Sequence, residues 1–289
     1  MLVYLDGTYL RRGEARVSVD DRGFIFGDGV YEVIRASGGC LFTADEHLAR
    51  LERGMRGIGI PMHADCARDR LLAIAEHLLR ENGLLEGEAT VYVQVTRGCA
   101  PRTHHFPAPE CAPTVYLSAA RFTPPVQIRV VGASAITHPD IRWSRCDLKT
   151  LNLLPNVLAK QRAVEAGATE AILVRDGVVT EGASTNVFGM VGGELRTYPV
   201  ANYILAGITR GVVIHLAAEL GITVAERPIL AEELPHVEEL FITGTTTDVL
   251  PVVQLDGRPI GDGRPGPITN ALGEALARRM GMGLLAHRA

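Results

Sequence analysis

A chain of 289 residues with 47% apolar and 21% charged side chains is ordinary for a soluble globular protein and long enough for two modest domains. Its net charge of -4 argues against a general nucleic-acid binder and a polybasic membrane surface, and no segment is long and apolar enough to span a bilayer. The five cysteines, Cys40, Cys66, Cys99, Cys111 and Cys146, are scattered, odd in number and never spaced as CxxC, which favours free thiols in a cytoplasm over a disulfide frame or a zinc site.

Residues 1–5 and 8–10 read as short strands joined at Asp6-Gly7, a strong hairpin signal. Residues 20–23 read as a turn. A strand at 30–35 is entered through Gly27-Asp28-Gly29, where glycine serves either a bulge or a close backbone approach. Tyr31 on that strand is either a half-buried aromatic or a phenol facing a site. Thr43-Ala44-Asp45-Glu46 fits a capping box with Thr43 as N-cap, opening a helix whose apolar face carries Leu48, Leu51 and Met55. Arg50 beside that face reads as a solvated helix arginine. A second amphipathic helix spans 68–82 and stops at Gly83. The run 89–97 is a strand, and the loop after it carries Arg102-Thr103-His104. That loop is either exposed polar chain or a carboxylate receptor, since guanidinium grips a carboxylate with two N–H groups and imidazole adds a donor. A strand at 114–119 precedes Pro124-Pro125, which marks a linker and puts a domain boundary near residue 120.

A strand at 127–133 opens the second half. The segment 141–152 follows, with the only tryptophan, Trp143, and one of only two lysines, Lys149 and Lys160. The chain otherwise meets its need for positive charge with arginine. Lysine can lose its proton when desolvated and attack a carbonyl, whereas arginine effectively cannot, so Lys149 beside Leu148 and Leu151 is a candidate for Schiff-base chemistry. The alternative is a surface lysine, the reading that suits Lys160 inside a helix at 151–166. That helix has Leu154, Val157, Leu158 and Val164 available to the core. A hairpin of 170–174 and 178–180, turning at Asp176-Gly177, ends at Glu181. This acid is either a charged edge residue or a carboxylate able to hold a cationic ring nitrogen. Ser184-Thr185-Asn186 leads into a strand at 187–190. Leu205-Ala206-Gly207-Ile208-Thr209 precedes an amphipathic helix at 211–220, whose first N–H groups either take an ordinary cap or bind phosphate. A strand at 240–243 runs into Gly244-Thr245-Thr246-Thr247, able to meet a second face of the same phosphate. There is no GxxxxGK[ST], which excludes a nucleotide P-loop. A helix at 267–280 closes the chain.

Combined, these are the parts of a pyridoxal phosphate site: an amine, an acid for the pyridine nitrogen, two phosphate cradles and a receptor for a substrate carboxylate. The stretches DRGFIFGDGVYEV (21–33), FTADEHLARL (42–51), VQVTRG (93–98), PRTHHFP (101–107), IRWSRCDLKTLNLL (141–154), TEGASTNVFG (180–189), LAGITR (205–210) and TGTTTDVLPV (243–252) carry a further resemblance. Over nearly the whole chain the sequence resembles the fold-type IV pyridoxal phosphate enzymes, most closely the bacterial D-amino acid aminotransferases. The resemblance implies an α+β or α/β chain of two domains. A small N-terminal α/β domain would occupy residues 1–120 and an interdomain linker 121–126. A larger, β-barrel-like C-terminal domain flanked by helices, 127–289, would bind the cofactor.

The resemblance also implies roles. Lys149 would bear pyridoxal 5′-phosphate as an internal aldimine and serve as acid and base, while Glu181 pairs with the pyridine nitrogen. Arg50, Ile208, Thr209 and Thr245 would bind the phosphate, and Gly244 stands where a close family member has serine. Leu205 would pack on the cofactor ring. Ser184 would lie near the site, with Ala183 where a serine is usual. Tyr31, Arg102 and His104 would trap the substrate α-carboxylate, in a homodimer where Arg102 and His104 reach the other subunit's site. The implied reaction is ping-pong transfer from D-alanine to 2-oxoglutarate. Rivals on the same fold are a branched-chain L-amino acid aminotransferase and a 4-amino-4-deoxychorismate lyase; a cofactor-binding protein with a dead site is the non-enzymatic one.

Overall fold

The computed structural model describes residues 1–281. Its contacts divide the chain into two compact units, Met1–Thr123 with Leu148–Asn152, and Pro124–Asp147 with Leu153–Ala289. The five-residue segment Leu148–Asn152 thus joins the first unit although it lies well beyond the proline-rich linker in sequence.

The first unit is built on one antiparallel sheet of β1 (Leu2–Leu5), β2 (Thr8–Arg11), β3 (Gly29–Ser37), β4 (Cys40–Leu41), β5 (Glu88–Thr96) and β6 (Thr114–Arg121), in the order β2-β1-β6-β5-β3-β4. Its helices are α1 (Arg22–Phe26), α2 (Ala44–Gly57) and α3 (Arg68–Glu81). Strand alternation decides which face is covered. Val30, Ile34, Val91, Val93, Val95 and Leu117 are buried in one core with Leu48, Leu51 and Met55 of α2 and Leu71, Leu78 and Leu79 of α3. Each such side chain contributes roughly 1.5–3 kcal/mol by leaving water. The other face carries Tyr31, Tyr92, Gln94 and Tyr116, all half-buried. Residues 20–23, expected as a bare turn, start a helix: the Asp21 carboxylate accepts the N–H groups of Gly23 (2.8 Å) and Phe24 (3.3 Å) and caps α1. The capping box expected at Thr43 does not form. Thr43 takes a left-handed φ of 51° and its hydroxyl donates to the Phe42 carbonyl at 2.7 Å, leaving Asp45 and Glu46 to favour the positive end of α2 by charge alone.

The second unit carries a mixed sheet of ten strands: β7 (Ala133–Pro139), β8 (Glu170–Arg175), β9 (Val178–Gly182), β10 (Asn186–Val191), β11 (Glu194–Thr197), β12 (Val224–Ala225), β13 (Ile229–Leu230), β14 (Glu239–Gly244), β15 (Asp248–Leu255) and β16 (Arg258–Pro259). The order is β12-β11-β10-β14-β15-β7-β8-β9-β13, with β16 on β15. Strands β9 and β10 stand five places apart on this path, which in a flat sheet would separate them by roughly 24 Å. Only Ala183, Ser184 and Thr185 join them, a link that reaches at most roughly 14 Å. The sheet therefore curls on itself into a half-barrel, and Ile172, Val187, Leu240, Ile242, Leu250 and Val252 lie in its core.

The helices of this unit are α4 (Val126–Val131), α5 (Leu154–Glu165), α6 (Ile208–Glu219) and α7 (Pro267–Arg279). Residues 127–133, expected as a strand, form α4 instead: Ile128, Val130 and Val131 stay exposed, and the extended run begins only after Gly132, at β7. In α5 the residues expected in the core are the exposed ones. Leu154, Val157, Leu158 and Val164 face outward, and the small Ala159 and Ala163 pack with Ala171 and Leu173 of β8. Small side chains let the helix axis come close to the strand, and that closeness decides the helix's rotation. Among the described residues no helix is long and apolar enough to cross a membrane.

Candidate active site

In the first unit Lys149 sits on a short extended segment docked along β3. The Tyr31 N–H donates to the Lys149 carbonyl at 3.0 Å, the Leu151 N–H donates to the Gly29 carbonyl at 3.0 Å, and Val30 bridges Thr150. This explains the last glycine of Gly27-Asp28-Gly29: a Cβ on Gly29 would lie 2.7 Å from a Leu151 methyl and 2.8 Å from the Val95 carbonyl oxygen. Close approach, not a bulge, is its reason. The docking turns the lysine amine onto Tyr31, with Nζ 3.2 Å from the phenol oxygen and 4.2 Å from the ring centre. The Tyr31 ring stacks on Tyr92 at 5.8 Å. Burial pushes the Tyr92 hydroxyl up to about 12, so it stays a donor, and it donates to Gln94 at 2.7 Å.

Arg50, whose pattern suggests a solvated arginine, is buried. From α2 it meets Glu32 of β3 with two bonds, Nε to Oε1 at 2.6 Å and Nη2 to Oε2 at 2.9 Å, and His47 Nδ1 lies 2.7 Å from the same carboxylate. Burial alone would raise the Glu32 carboxyl, but Arg50 and His47 overrule it and hold the group at about 2. The fork fixes the direction of the guanidinium, as a lone arginine on a solvated face would not be fixed.

Arg102 and His104 are exposed, and both lie against Phe26: the guanidinium carbon is 5.3 Å and the imidazole 5.8 Å from its ring centre. Their loop is braced from beneath. Buried Arg22 donates to the Thr103 carbonyl at 2.8 Å, and buried Arg97 lies 3.6 Å over the Phe106 ring. Both arginines share Asp28, at 2.9 and 2.8 Å.

In the second unit Glu181 is buried at the end of β9, so it is no edge charge. Its Oε1 accepts from Arg142 Nη1, and its Oε2 accepts from the Asn186 amide and the Leu205 N–H, each at 3.0 Å. A carboxylate offers about four acceptor positions, which leaves one for another donor. Burial pushes Glu181 up to about 7, against the downward pull of Arg142 and the Leu205 N–H.

Leu205 is half-buried and leads through Gly207 into α6. No side chain caps this helix, so the first-turn N–H groups, those of Ile208 and Thr209 among them, keep their donor capacity at the positive end. A Cβ on Gly207 would lie 2.0 Å from Asn186 Oδ1, so this tight entry requires glycine. Gly244 and Thr245 follow buried Thr243, whose hydroxyl has no partner among the described residues. Ser184 donates to Glu170 at 3.0 Å beside Thr185 at 3.2 Å. Lys160, expected to face solvent, pairs with that same buried Glu170 at 3.5 Å and donates to the Thr169 carbonyl. Ala183 is buried in the cluster of Ala159, Ala163, Ala171 and Leu173, an apolar spot.

The model of the amino-transferase class IV family matches residues 29–255. The chain belongs to this family. It is 45% identical over 278 residues to D-alanine aminotransferase of Bacillus licheniformis, covering 96% of each chain, and 43% identical over 274 residues to that of Staphylococcus haemolyticus, covering 95% and 96%. Among solved structures it is similar to the T.th. branched-chain amino acid aminotransferase with pyridoxamine 5′-phosphate: 29% identity, TM-score 0.85, 98% of this chain and 95% of that one. The architecture of this class IV aminotransferase is fold type IV. Pattern reading missed Glu32, His47, Asp140, Arg142 and Asn186. Glu32 lies inside an otherwise apolar strand and Asn186 at a strand start, whereas His47 is on α2 and Asp140 and Arg142 follow β7, so their meaning appears only once the partner charges are located.

Proposed function

We propose that this class IV aminotransferase uses pyridoxal 5′-phosphate to move the amino group of a D-amino acid to a 2-oxo acid, with D-alanine and 2-oxoglutarate giving pyruvate and D-glutamate. The observation that carries the reading is the near-complete alignment with D-alanine aminotransferases. The residues fit the cofactor. Glu181 keeps an acceptor position for a cationic ring nitrogen, and the uncapped start of α6 and the partnerless Thr243 hydroxyl offer donors to a phosphate.

When bound, pyridoxal phosphate supplies an aldehyde that joins amines covalently and a ring that takes up the electron pair left at the substrate Cα. Lys149 provides the amine of attachment and, once displaced by the substrate amine, takes the Cα proton on Nζ. The Tyr31 hydroxyl steadies that nitrogen. Glu181 holds the ring nitrogen, Leu205 covers the ring, and Ser184 stands close by. Arg50, Ile208, Thr209, Gly244 and Thr245 bind the phosphate. Tyr31, Arg102 and His104 grip the substrate carboxylate, and its placement decides which enantiomer presents its Cα–H to Lys149. The working form is a homodimer in which Arg102 and His104 serve the other subunit's site. The outward apolar row of Leu154, Val157 and Leu158 on α5 supports burial against a second chain. Five free thiols support a cytoplasmic location.

The test compares initial rates with D-alanine, L-alanine and L-leucine, each with 2-oxoglutarate. D-alanine is expected to lead by at least about 100-fold in kcat/KM, equivalent to about 3 kcal/mol between enantiomers. A lead for either L-amino acid overturns the substrate assignment. A second measurement addresses the phosphate set. A Cβ on Gly244 would meet nothing closer than Thr247 Oγ1 at 3.4 Å, so a serine fits. Gly244→Ser is expected to fold like the parent and to bind the cofactor several-fold more tightly by equilibrium dialysis, the effect of one added hydrogen bond of about 1 kcal/mol. Unchanged or weaker binding removes Gly244 from that set.

A further inference from the structure

Behind Glu181 the second unit holds a buried chain of charges. Arg142 gives Glu181 a single N–H, from Nη1. It gives Asp140 a fork, Nε to Oδ1 at 2.9 Å and Nη2 to Oδ2 at 2.8 Å, and Nη2 also meets the Tyr203 carbonyl at 3.0 Å. Asp140 is further held by Arg175 Nη2 at 3.1 Å, by the Thr180 hydroxyl at 2.9 Å and by the Arg142 N–H at 3.1 Å. The Asp140 side chain is 0% exposed, Arg142 5% and Glu181 6%.

We propose that Asp140 is a positioning residue for the reaction: by taking up the Arg142 guanidinium it offsets the positive charge beside Glu181, so that the cluster favours a proton on the cofactor's ring nitrogen. The inference rests on the reading that Glu181 faces that nitrogen. An arginine bonded to Glu181 alone would neutralise it and oppose a protonated ring beside it. Here the better part of the guanidinium is spent on Asp140. The groups facing one another are Glu181 on β9, Asp140 after β7, Arg142 and Cys146 on the following loop, and Arg175 on β8. Arg142 and Arg175 hold Asp140 at about 2 although burial works the other way, and burial pushes the Cys146 thiol up to about 11. Two acids and two arginines therefore balance, and the cluster brings no net positive charge to the ring nitrogen. Without Asp140 the balance turns to a positive excess at a place with little water to screen it.

The experiment loads the parent, Asp140→Asn, Thr180→Val and Glu181→Gln with pyridoxal phosphate labelled with nitrogen-15 in the ring and follows that nitrogen's chemical shift against pH by NMR. Asparagine keeps an acceptor for Arg142 and loses only the charge. The ring-nitrogen pKa is expected to fall by about one to two units in Asp140→Asn and in the same direction, by less, in Thr180→Val, with the cofactor still attached. Glu181→Gln is expected to show the largest fall. An Asp140→Asn holoenzyme titrating like the parent overturns the proposal. Should that variant fail to fold, Thr180→Val decides, since it keeps all three ion pairs and removes only the hydroxyl bracing Asp140; a parent-like titration there overturns it too. A parent-like titration in Glu181→Gln instead overturns the underlying placement of Glu181.

Discussion

Replacing Lys149 with alanine is expected to lower kcat by at least about 10⁴-fold, the upper range for losing a positioned proton carrier, and to end covalent attachment of the cofactor. The fold should survive. The docking of this segment on β3 is made by main-chain groups, the Lys149 carbonyl and the N–H groups of Tyr31 and Leu151, none of which the substitution touches. The check is borohydride reduction of the loaded protein followed by peptide mass analysis. The parent is expected to carry a pyridoxyl group on the peptide containing Lys149 and the variant none, with matching circular dichroism. Lys149→Arg is expected to be as inactive as alanine, since guanidinium keeps its proton at any working pH. A pyridoxyl group found on Lys160 would transfer the role to a residue already committed to Glu170 and the Thr169 carbonyl.

The second large effect is expected at Arg102. A forked guanidinium–carboxylate contact comprises two hydrogen bonds to charge, each worth about 1.5–3 kcal/mol, so Arg102→Ala should cost about 10²–10³-fold in kcat/KM for D-alanine. Because the carboxylate sets how the substrate sits, kcat should fall together with the rise in KM, and the preference for the D enantiomer should shrink in parallel. Arg102→Lys should recover only part, since an ammonium is a point charge without a fork. His104→Ala, removing one donor, should cost about tenfold. Steady-state kinetics with both alanine enantiomers reads all of these. Parent-like kcat/KM in Arg102→Ala would take the loop out of the reaction. The braces beneath the loop, Arg22 on the Thr103 carbonyl and Arg97 under Phe106, remain in that variant, so a loss reports the side chain and not a collapsed loop.

Much of the fold was legible from residue patterns because it rests on local rules. Asp6-Gly7 and Asp176-Gly177 turn as hairpins with positive φ at both residues, and α2, α3, α6 and α7 follow their apolar spacing. The failures differ in kind. Residues 127–131 have the composition of a strand but lie in α4, where no side chain is buried and nothing in the packing explains the helix, whereas the large apolar side chains of α5 point outward because its alanines pack on β8, and there tertiary packing outweighs propensity. At the site, Lys149 stood out because lysine is so scarce in this chain. Arg50 did not, since its partner Glu32 is 18 residues away on another element and only the fold brings them within 2.6 Å. Asp140 and Arg142 were silent for the same reason, their meaning residing in a shared burial with Glu181.

The membership of Leu148–Asn152 in the first unit bears on how the protein is made. A nascent chain that has emerged only to Thr123 already holds every strand of the first sheet, yet the edge of β3 at Gly29 and Tyr31 still lacks the main-chain groups of Lys149 and Leu151. That edge is completed only after some 25 further residues of the second unit have left the ribosome, counted from the linker to Lys149. No single cut of the gene can therefore separate the two units, and a fragment beginning at Pro124 would carry its candidate amine Lys149 on a stretch severed from the strand that aims it.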